Sequence, residues 1–122
     1  MTNRVLIVDD AMIMRLRIRE IAEQAGWEVV GEAATGQQAV DDYSTLKPTL
    51  VTMDIVMPSM DGVEALRAIR ELDPQARVCM VSAVNQRDKL MECIQLGAID
   101  FIVKPFDKTR LLTFFQLQGR NS

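Results

Sequence analysis

Several apolar runs in this chain stop at residues capable of chemistry. Val5-Leu6-Ile7-Val8 ends at Asp9-Asp10, and Val51-Thr52-Met53 ends at Asp54. Val78-Cys79-Met80-Val81 ends at Ser82, and Phe101-Ile102-Val103 ends at Lys104-Pro105. After Asp54 the chain passes through Ile55-Val56-Met57-Pro58-Ser59-Met60-Asp61-Gly62, a stretch punctuated as a loop. A parallel strand that runs into such a loop delivers its next side chain to the carboxyl edge of the sheet, where open α/β sheets bind ligands. If the strands are parallel, Asp9, Asp10, Asp54, Ser82 and Lys104 emerge together. Three gathered carboxylates repel one another, and their pKa values rise unless a cation sits among them. Oxygen-only ligands favour a hard divalent ion, and Mg²⁺ fits because it accepts phosphate oxygens as co-ligands. Lys104 adds a point positive charge and Ser82 a hydroxyl donor. A carboxylate nucleophile, a metal site and a lysine are the parts needed for phosphoryl transfer to aspartate, with Asp54 as the acceptor.

Each residue also has a plainer explanation. Asp10 could cap the first helix, and capping is the preferred role for Asp61 before Gly62. Lys104 could be a solvated loop residue and Ser82 a turn former. Asp54 resists such treatment, since an acid at the end of a buried strand is costly without a partner. Taken together at matching strand ends, the functional reading prevails.

The elements that must carry these residues alternate regularly. Short β-like runs fall at 5–8, 28–31, 50–53, 77–81 and 99–103, with helical periodicity between them. Five βα units and a parallel sheet follow, an α/β fold. Helix one presents Met14, Ile18, Ile21, Ala22 and Ala25 on one face and stops at Gly26. Glu28 and Glu32 alternate with valines, which places the second strand near an edge. Helix two follows Thr35-Gly36, helix three starts near Gly62 and breaks at Asp73-Pro74, and helix four covers about 86–96 before Gly97. Helix five runs from about Lys108 to Leu117 with Asp107 as N-cap, and the polar tail 118–122 should fray. Leu111-Leu112-Thr113-Phe114-Phe115-Gln116-Leu117 holds more apolar residues than one buried stripe needs. Either the helix is deeply packed, or Phe101, Leu112, Phe114 and Leu117 contribute to a partner or dimer surface.

Composition excludes several function classes. At 122 residues the chain is long enough for one real core, and its 48% hydrophobic and 25% charged residues are those of a globular domain. A net charge of −3 argues against direct nucleic-acid binding. No apolar run reaches the length of a membrane span, and the N-terminus is no signal peptide. With no histidine, the chain has no Ser-His-Asp triad, no imidazole zinc ligand and no phosphohistidine of its own. Cys79 and Cys93 match no metal or redox spacing and read as reduced thiols of a cytoplasmic protein.

Val8-Asp9-Asp10, Met53-Asp54-Ile55-Val56-Met57-Pro58, Asp61-Gly62, Ser82-Ala83 and Lys104-Pro105-Phe106 together resemble the signature of response-regulator receiver domains of two-component signalling. The resemblance spans residues 4–117, nearly the whole chain, and is closest to the stand-alone chemotaxis regulators. It implies a single doubly wound, flavodoxin-like (βα)5 receiver domain over 1–122, with strand order 2-1-3-4-5. It also implies that Asp54 takes a phosphoryl group from a histidine kinase in a Mg²⁺-dependent step. Asp9 and Asp10 would hold the ion, Asp10 and Asp54 directly, with the Val56 carbonyl as a further ligand. Lys104 and the Ala83 backbone would bind the phosphoryl group, and the Lys104–Pro105 peptide would be cis. Ser82 would move inward onto the phosphate and open space for Phe101, remodelling the helix 4, strand 5 and helix 5 face toward an output protein such as a flagellar motor switch component.

Phe101 stands where the best-known chemotaxis pattern has tyrosine, and Ser82 where threonine is commoner. Val56 and Val84, two positions beyond Asp54 and Ser82, are apolar where the family often has polar groups that place hydrolytic water or engage a phosphatase. The lifetime of the phosphorylated state, and a dedicated phosphatase, stay open. Other readings are a receiver segment of a longer DNA-binding or methylesterase regulator, an aspartate-nucleophile Mg²⁺ phosphatase, and an FMN module. A phosphatase would need a cap insertion that these short loops leave no room for. An FMN module would need a Gly/Ser/Thr-rich loop after strand one, which is missing.

Overall fold

The computed structural model describes residues 3–120. Five parallel strands form one sheet: β1 (Arg4–Val8), β2 (Glu28–Ala33), β3 (Leu50–Met53), β4 (Val78–Ala83) and β5 (Asp100–Lys104), in the order β2-β1-β3-β4-β5. The helices between and after them are α1 (Met12–Gln24), α2 (Gly36–Leu46), α3 (Gly62–Leu72), α4 (Arg87–Gln95) and α5 (Lys108–Arg120). A single 3-10 turn, Val84–Gln86, leads into α4. This is the doubly wound fold and strand order expected. The acidic second strand lies at an edge, and the interior strands β1, β3 and β4 are the apolar ones, as burial on both faces requires.

The alternation of side chains along each strand divides the interior into two layers. Leu6, Val8, Val51, Met53, Val78 and Met80 pack with residues of α2, α3 and α4, including Tyr43, Leu66, Ile69 and Leu90. Val5, Ile7, Leu50, Cys79, Val81 and Ile102 pack with Ile18 and Ile21 of α1 and with Leu111, Phe114 and Phe115 of α5. Trp27 joins the second layer, its indole N–H donating to the Phe115 carbonyl at 2.9 Å. Both cysteines are buried free thiols, and burial pushes the Cys93 thiol up to about 11. No helix among the described residues is long and apolar enough to cross a membrane.

Local signals set the boundaries. Gly26 (φ 86°) and Gly97 (φ 101°) take the left-handed conformation after α1 and α4 that glycine adopts without strain. Thr35 caps α2 by accepting from the Gln38 N–H at 3.1 Å, and Asp61 caps α3 by accepting from Glu64 at 3.0 Å. Asp107 accepts from the Arg110 N–H at 2.9 Å, as expected of an N-cap. β4 continues past Val81 because Ser82 and Ala83 still pair with Val103 and Lys104. α5 also outruns its expected end at Leu117 and remains helical through Arg120, where Arg77 donates to the Gln118 carbonyl at 3.4 Å. The rest of the expected fraying tail, residues 121–122, lies outside the described residues.

Candidate functional site

The sheet ladder runs on into the first residues of the loops. Asp9 N–H donates to the Ala33 carbonyl at 3.0 Å and Asp54 N–H to the Val8 carbonyl at 2.9 Å, so both carboxylates leave the carboxyl edge at adjacent strands. One ligand oxygen from each of Asp9, Asp10 and Asp54 lies within 4.8 Å of the others. Asp9 is 1% exposed and Asp54 7%, whereas Asp10 is on the surface. Lys104, at the end of β5, places its Nζ 2.7 Å from Asp9 Oδ2 and 3.6 Å from Asp54 Oδ1. The expected convergence of these four residues is what the fold produces.

Helix capping by Asp10 does not occur. The N-cap of α1 is Ala11, without a side-chain bond, and it is Asp9 Oδ1 that accepts the Ala11 N–H at 2.9 Å. Asp10 is therefore left with its carboxylate on the cluster.

Burial is the largest influence on Asp54 and drives its carboxyl up from 3.8 to about 6. The Lys104 ammonium opposes that rise, Asp9 and Asp10 reinforce it, and the Ile55 N–H, donating to Asp54 Oδ1 at 2.8 Å, pulls it down. The donor set is oxygen-only, anionic and under electrostatic stress, which suits a hard divalent cation such as Mg²⁺. Ser82 supplies an independent observation. It is 0% exposed, and its Oγ bonds to no protein group among the described residues. A buried hydroxyl without a partner is costly, and an anion bound beside it would satisfy it.

Two glycines bring the loops close. A Cβ on Gly62 would stand 2.0 Å from the Asp54 carbonyl oxygen and 2.8 Å from Ile55 Cα, so glycine lets the start of α3 lie against the Asp54 backbone. There the Gly62 N–H donates to the Ile55 carbonyl at 2.7 Å. Gly36 likewise accommodates the Met60 carbonyl, locking the β3–α3 loop onto the start of α2.

The other expected site residues fall as follows. Val56 is exposed on the β3–α3 loop, while the Val84 side chain lies outside the described residues. The Lys104–Pro105 peptide is cis. Ala83 is exposed at the end of β4, paired with Lys104. Phe101 is 40% exposed and, with Arg87, Leu90, Met91 and Val103, lines a cavity of about 330 Å³ between α4 and β5. Leu117 is 51% exposed and Leu112 half-buried. Phe114 is a correction: at 2% exposure it packs against Phe115 in the α1/α5 layer and cannot belong to a partner surface. Most of the apolar surplus of α5 is therefore accounted for by deep packing.

Sequence reasoning missed Arg15. Its Nη1 donates to the Asp9 carbonyl at 2.7 Å and its Nε to Glu32 at 3.0 Å, while Arg19 donates to the other Glu32 oxygen at 2.7 Å. The i, i+4 spacing of the two arginines was the visible signal, but their shared acceptor on β2 was not.

The response regulator receiver domain model matches residues 5–116. Protein CcdB of Bacillus subtilis is 55% identical over 110 residues, covering 90% of this chain and 92% of that protein. Chemotaxis protein CheY of the same organism is 53% identical over 112 residues, with 92% and 93% covered. Among solved structures, a chain of the CheX–CheY–BeF3–Mg²⁺ complex from Borrelia burgdorferi has a TM-score of 0.88 and 36% identity, covering 98% of this chain and 89% of that one.

Proposed function

The chain belongs to the response regulator receiver family, as a receiver of the CheY type, and from this we propose that it is the phosphoacceptor of a chemotaxis-type phosphorelay, with Asp54 as the accepting residue. Receiver domains of this kind are signalling switches rather than classical enzymes. The observation that carries the reading is the juxtaposition of the Asp9/Asp10/Asp54 cluster with Lys104 and with the unbonded Ser82 hydroxyl. The first three residues, with the Val56 carbonyl, would hold Mg²⁺. When bound, that ion supplies charge neutralisation for the phosphoryl oxygens.

In the transfer, an Asp54 carboxylate oxygen bonds to phosphorus as the P–N bond of a kinase phosphohistidine breaks. The imidazole leaves with the electron pair and takes up a proton. Lys104 balances charge on the transferred phosphoryl oxygens, and the Ser82 hydroxyl and Ala83 backbone N–H donate to them. Movement of Ser82 toward the phosphate frees room beside β4 for Phe101 to turn into the cavity it lines. That change would alter the α4/β5/α5 face, with Phe101, Leu112 and Leu117, toward an output protein. Since Phe101 has no hydroxyl, this face recognises its partner by shape and apolar contact. Self-catalysed hydrolysis of the aspartyl phosphate returns the switch to its resting form, and the cytoplasm, where histidine kinases present their phosphohistidines, is its proposed location.

The test is intact-protein mass after incubation with Mg²⁺ and a small acyl phosphate, alongside Asp54→Asn. One added phosphoryl group, labile to hydroxylamine and missing in the variant, is expected. Addition to the variant as well would move the acceptor elsewhere.

A further inference from the structure

Residues 105–107 connect β5 to α5 directly after Lys104, yet few bonds hold them. Among the described residues, no backbone–backbone hydrogen bond outside the regular elements involves residues 105–107. The side chain of Asp107 accepts only from within α5. Among the described residues, one hydrogen bond reaches this segment from another element: Arg17 Nη2 of α1 donates to the Phe106 carbonyl at 3.1 Å. The same guanidinium lies over the Phe106 ring, 4.8 Å from its centroid. Phe106 is itself buried among the residues of the α1/α5 layer. Arg17 is engaged in no ion pair among the described residues, so these two contacts are what its guanidinium does.

We propose that Arg17 is a positioning residue for the phosphoryl-transfer centre, clamping Phe106 between α1 and the core and so fixing where Lys104 presents its ammonium. The inference rests on the reading of Lys104 as the phosphoryl-binding cation. It deepens that reading by naming what orients it. A planar guanidinium suits the task, since it can stack on a ring and donate in its own plane to the neighbouring carbonyl. Lysine at this position would keep the charge and lose that geometry. Lys104 is two residues from the clamp along the backbone. A shift of the Phe106 carbonyl therefore reaches the bonds from Nζ to Asp9 at 2.7 Å and to Asp54 at 3.6 Å.

Two measurements on the full chain test this. In the first, self-phosphorylation by acetyl phosphate with Mg²⁺ is timed for the native protein, Arg17→Met, Lys104→Ala and the double variant. An Asp54 oxygen gains the phosphorus and acetate leaves with the electron pair of the broken P–O bond. Arg17→Met, which keeps an apolar chain over the ring, is expected to slow the native protein about fivefold and the Lys104→Ala protein hardly at all. Arg17→Lys should recover less than half of the loss. Equal slowing in both backgrounds, or none in either, would overturn the proposal. The second measurement is the Lys104 ammonium ¹H–¹⁵N resonance in metal-free protein. It should be sharp when Lys104 is held on Asp9 and broadened in Arg17→Met, at unchanged melting temperature. An unaltered resonance would overturn the clamp even if phosphorylation failed altogether, whereas a native protein that takes no phosphoryl group with the resonance behaving as expected would refute only the function.

Discussion

Replacing Asp54 by Asn should stabilise the metal-free protein, although it abolishes the proposed chemistry. The native carboxyl titrates at about 6 against 3.8 for an ordinary aspartate, chiefly because it is buried. Between those values the folded protein holds a proton that the unfolded chain has released. Folding stability contributed by that proton is complete below 3.8, declines as pH rises and is gone above about 6. A shift of two units corresponds to about 3 kcal/mol at neutral pH. Asn recovers only part of it. Its amide oxygen can still accept the Ile55 N–H, but Lys104 loses one of its two carboxylate neighbours. A gain of about 1–2 kcal/mol is therefore expected, or roughly 4–8 °C in melting temperature for a domain of this size. Urea unfolding in EDTA at pH 4, 5, 6 and 7.5 is the assay. The native protein should lose stability over that range relative to Asp54→Asn, and the curves should meet near pH 4. Mg²⁺ at a hundred times its dissociation constant returns about 2.7 kcal/mol to whichever protein binds it, and should narrow or reverse the difference. If the variant is no more stable than the native protein at pH 7.5 in EDTA, the electrostatic stress assigned to the cluster is wrong.

Other outcomes follow from the packing. Gly62→Ala must push α3 away from the Asp54 backbone; it should cost about 2–3 kcal/mol in urea unfolding and reduce phosphorylation more than stability loss alone explains. Phe114→Ala should cost about 3–5 kcal/mol, whereas Leu117→Ala should change stability by less than about 0.5 kcal/mol, a contrast that one denaturation series checks. Trp27 is buried against Phe115 with its indole N–H bonded in place, so its fluorescence should change little on adding Mg²⁺ or a phosphodonor. A large quench would mean that the α1/α5 layer rearranges with the site.

The convergence of the candidate site's side chains could be read from the sequence because its information is local. Each of Asp9, Asp54, Ser82 and Lys104 lies at or immediately after the last residues of an apolar run, and a parallel sheet aligns such ends without further instruction. Helix stops at Gly26 and Gly97 and caps at Asp61 and Asp107 were readable for the same reason. What escaped was long-range. Helical periodicity alone did not say that α5 buries Phe114 and turns Leu117 outward, because a run of five apolar residues in seven offers more than one inward stripe. The bonds from Arg15 to Glu32 and from Arg17 to Phe106 join residues 17 and 89 positions apart.

The two-layer interior would let a reaction at the proposed acceptor be reported at a distance. Strand alternation assigns Phe101 and Val103 to the α4 side of β5, while Ile102 between them packs in the layer of α1 and α5. By the same alternation Ser82 follows Met80 on the α3/α4 side of β4, paired with Val103 in register. Lys104 follows Ile102 in the other phase and reaches Asp9, whose backbone α1 holds through Arg15. The cation and carboxylates are thus supported mainly from the α1/α5 side, and the hydroxyl and aromatic ring lie on the side where α4 is exposed. Ser82 connects the two, since its buried hydroxyl lies at the carboxyl edge and its partner on β5, Val103, lines the Phe101 cavity. Exchanging Ser82 for Ala should therefore separate acceptance from response: Asp54 would still be phosphorylated, but chemical-shift changes at Phe101 and Leu90 on phosphorylation would largely disappear. Undiminished shifts in that variant would show that the signal leaves the site by another route.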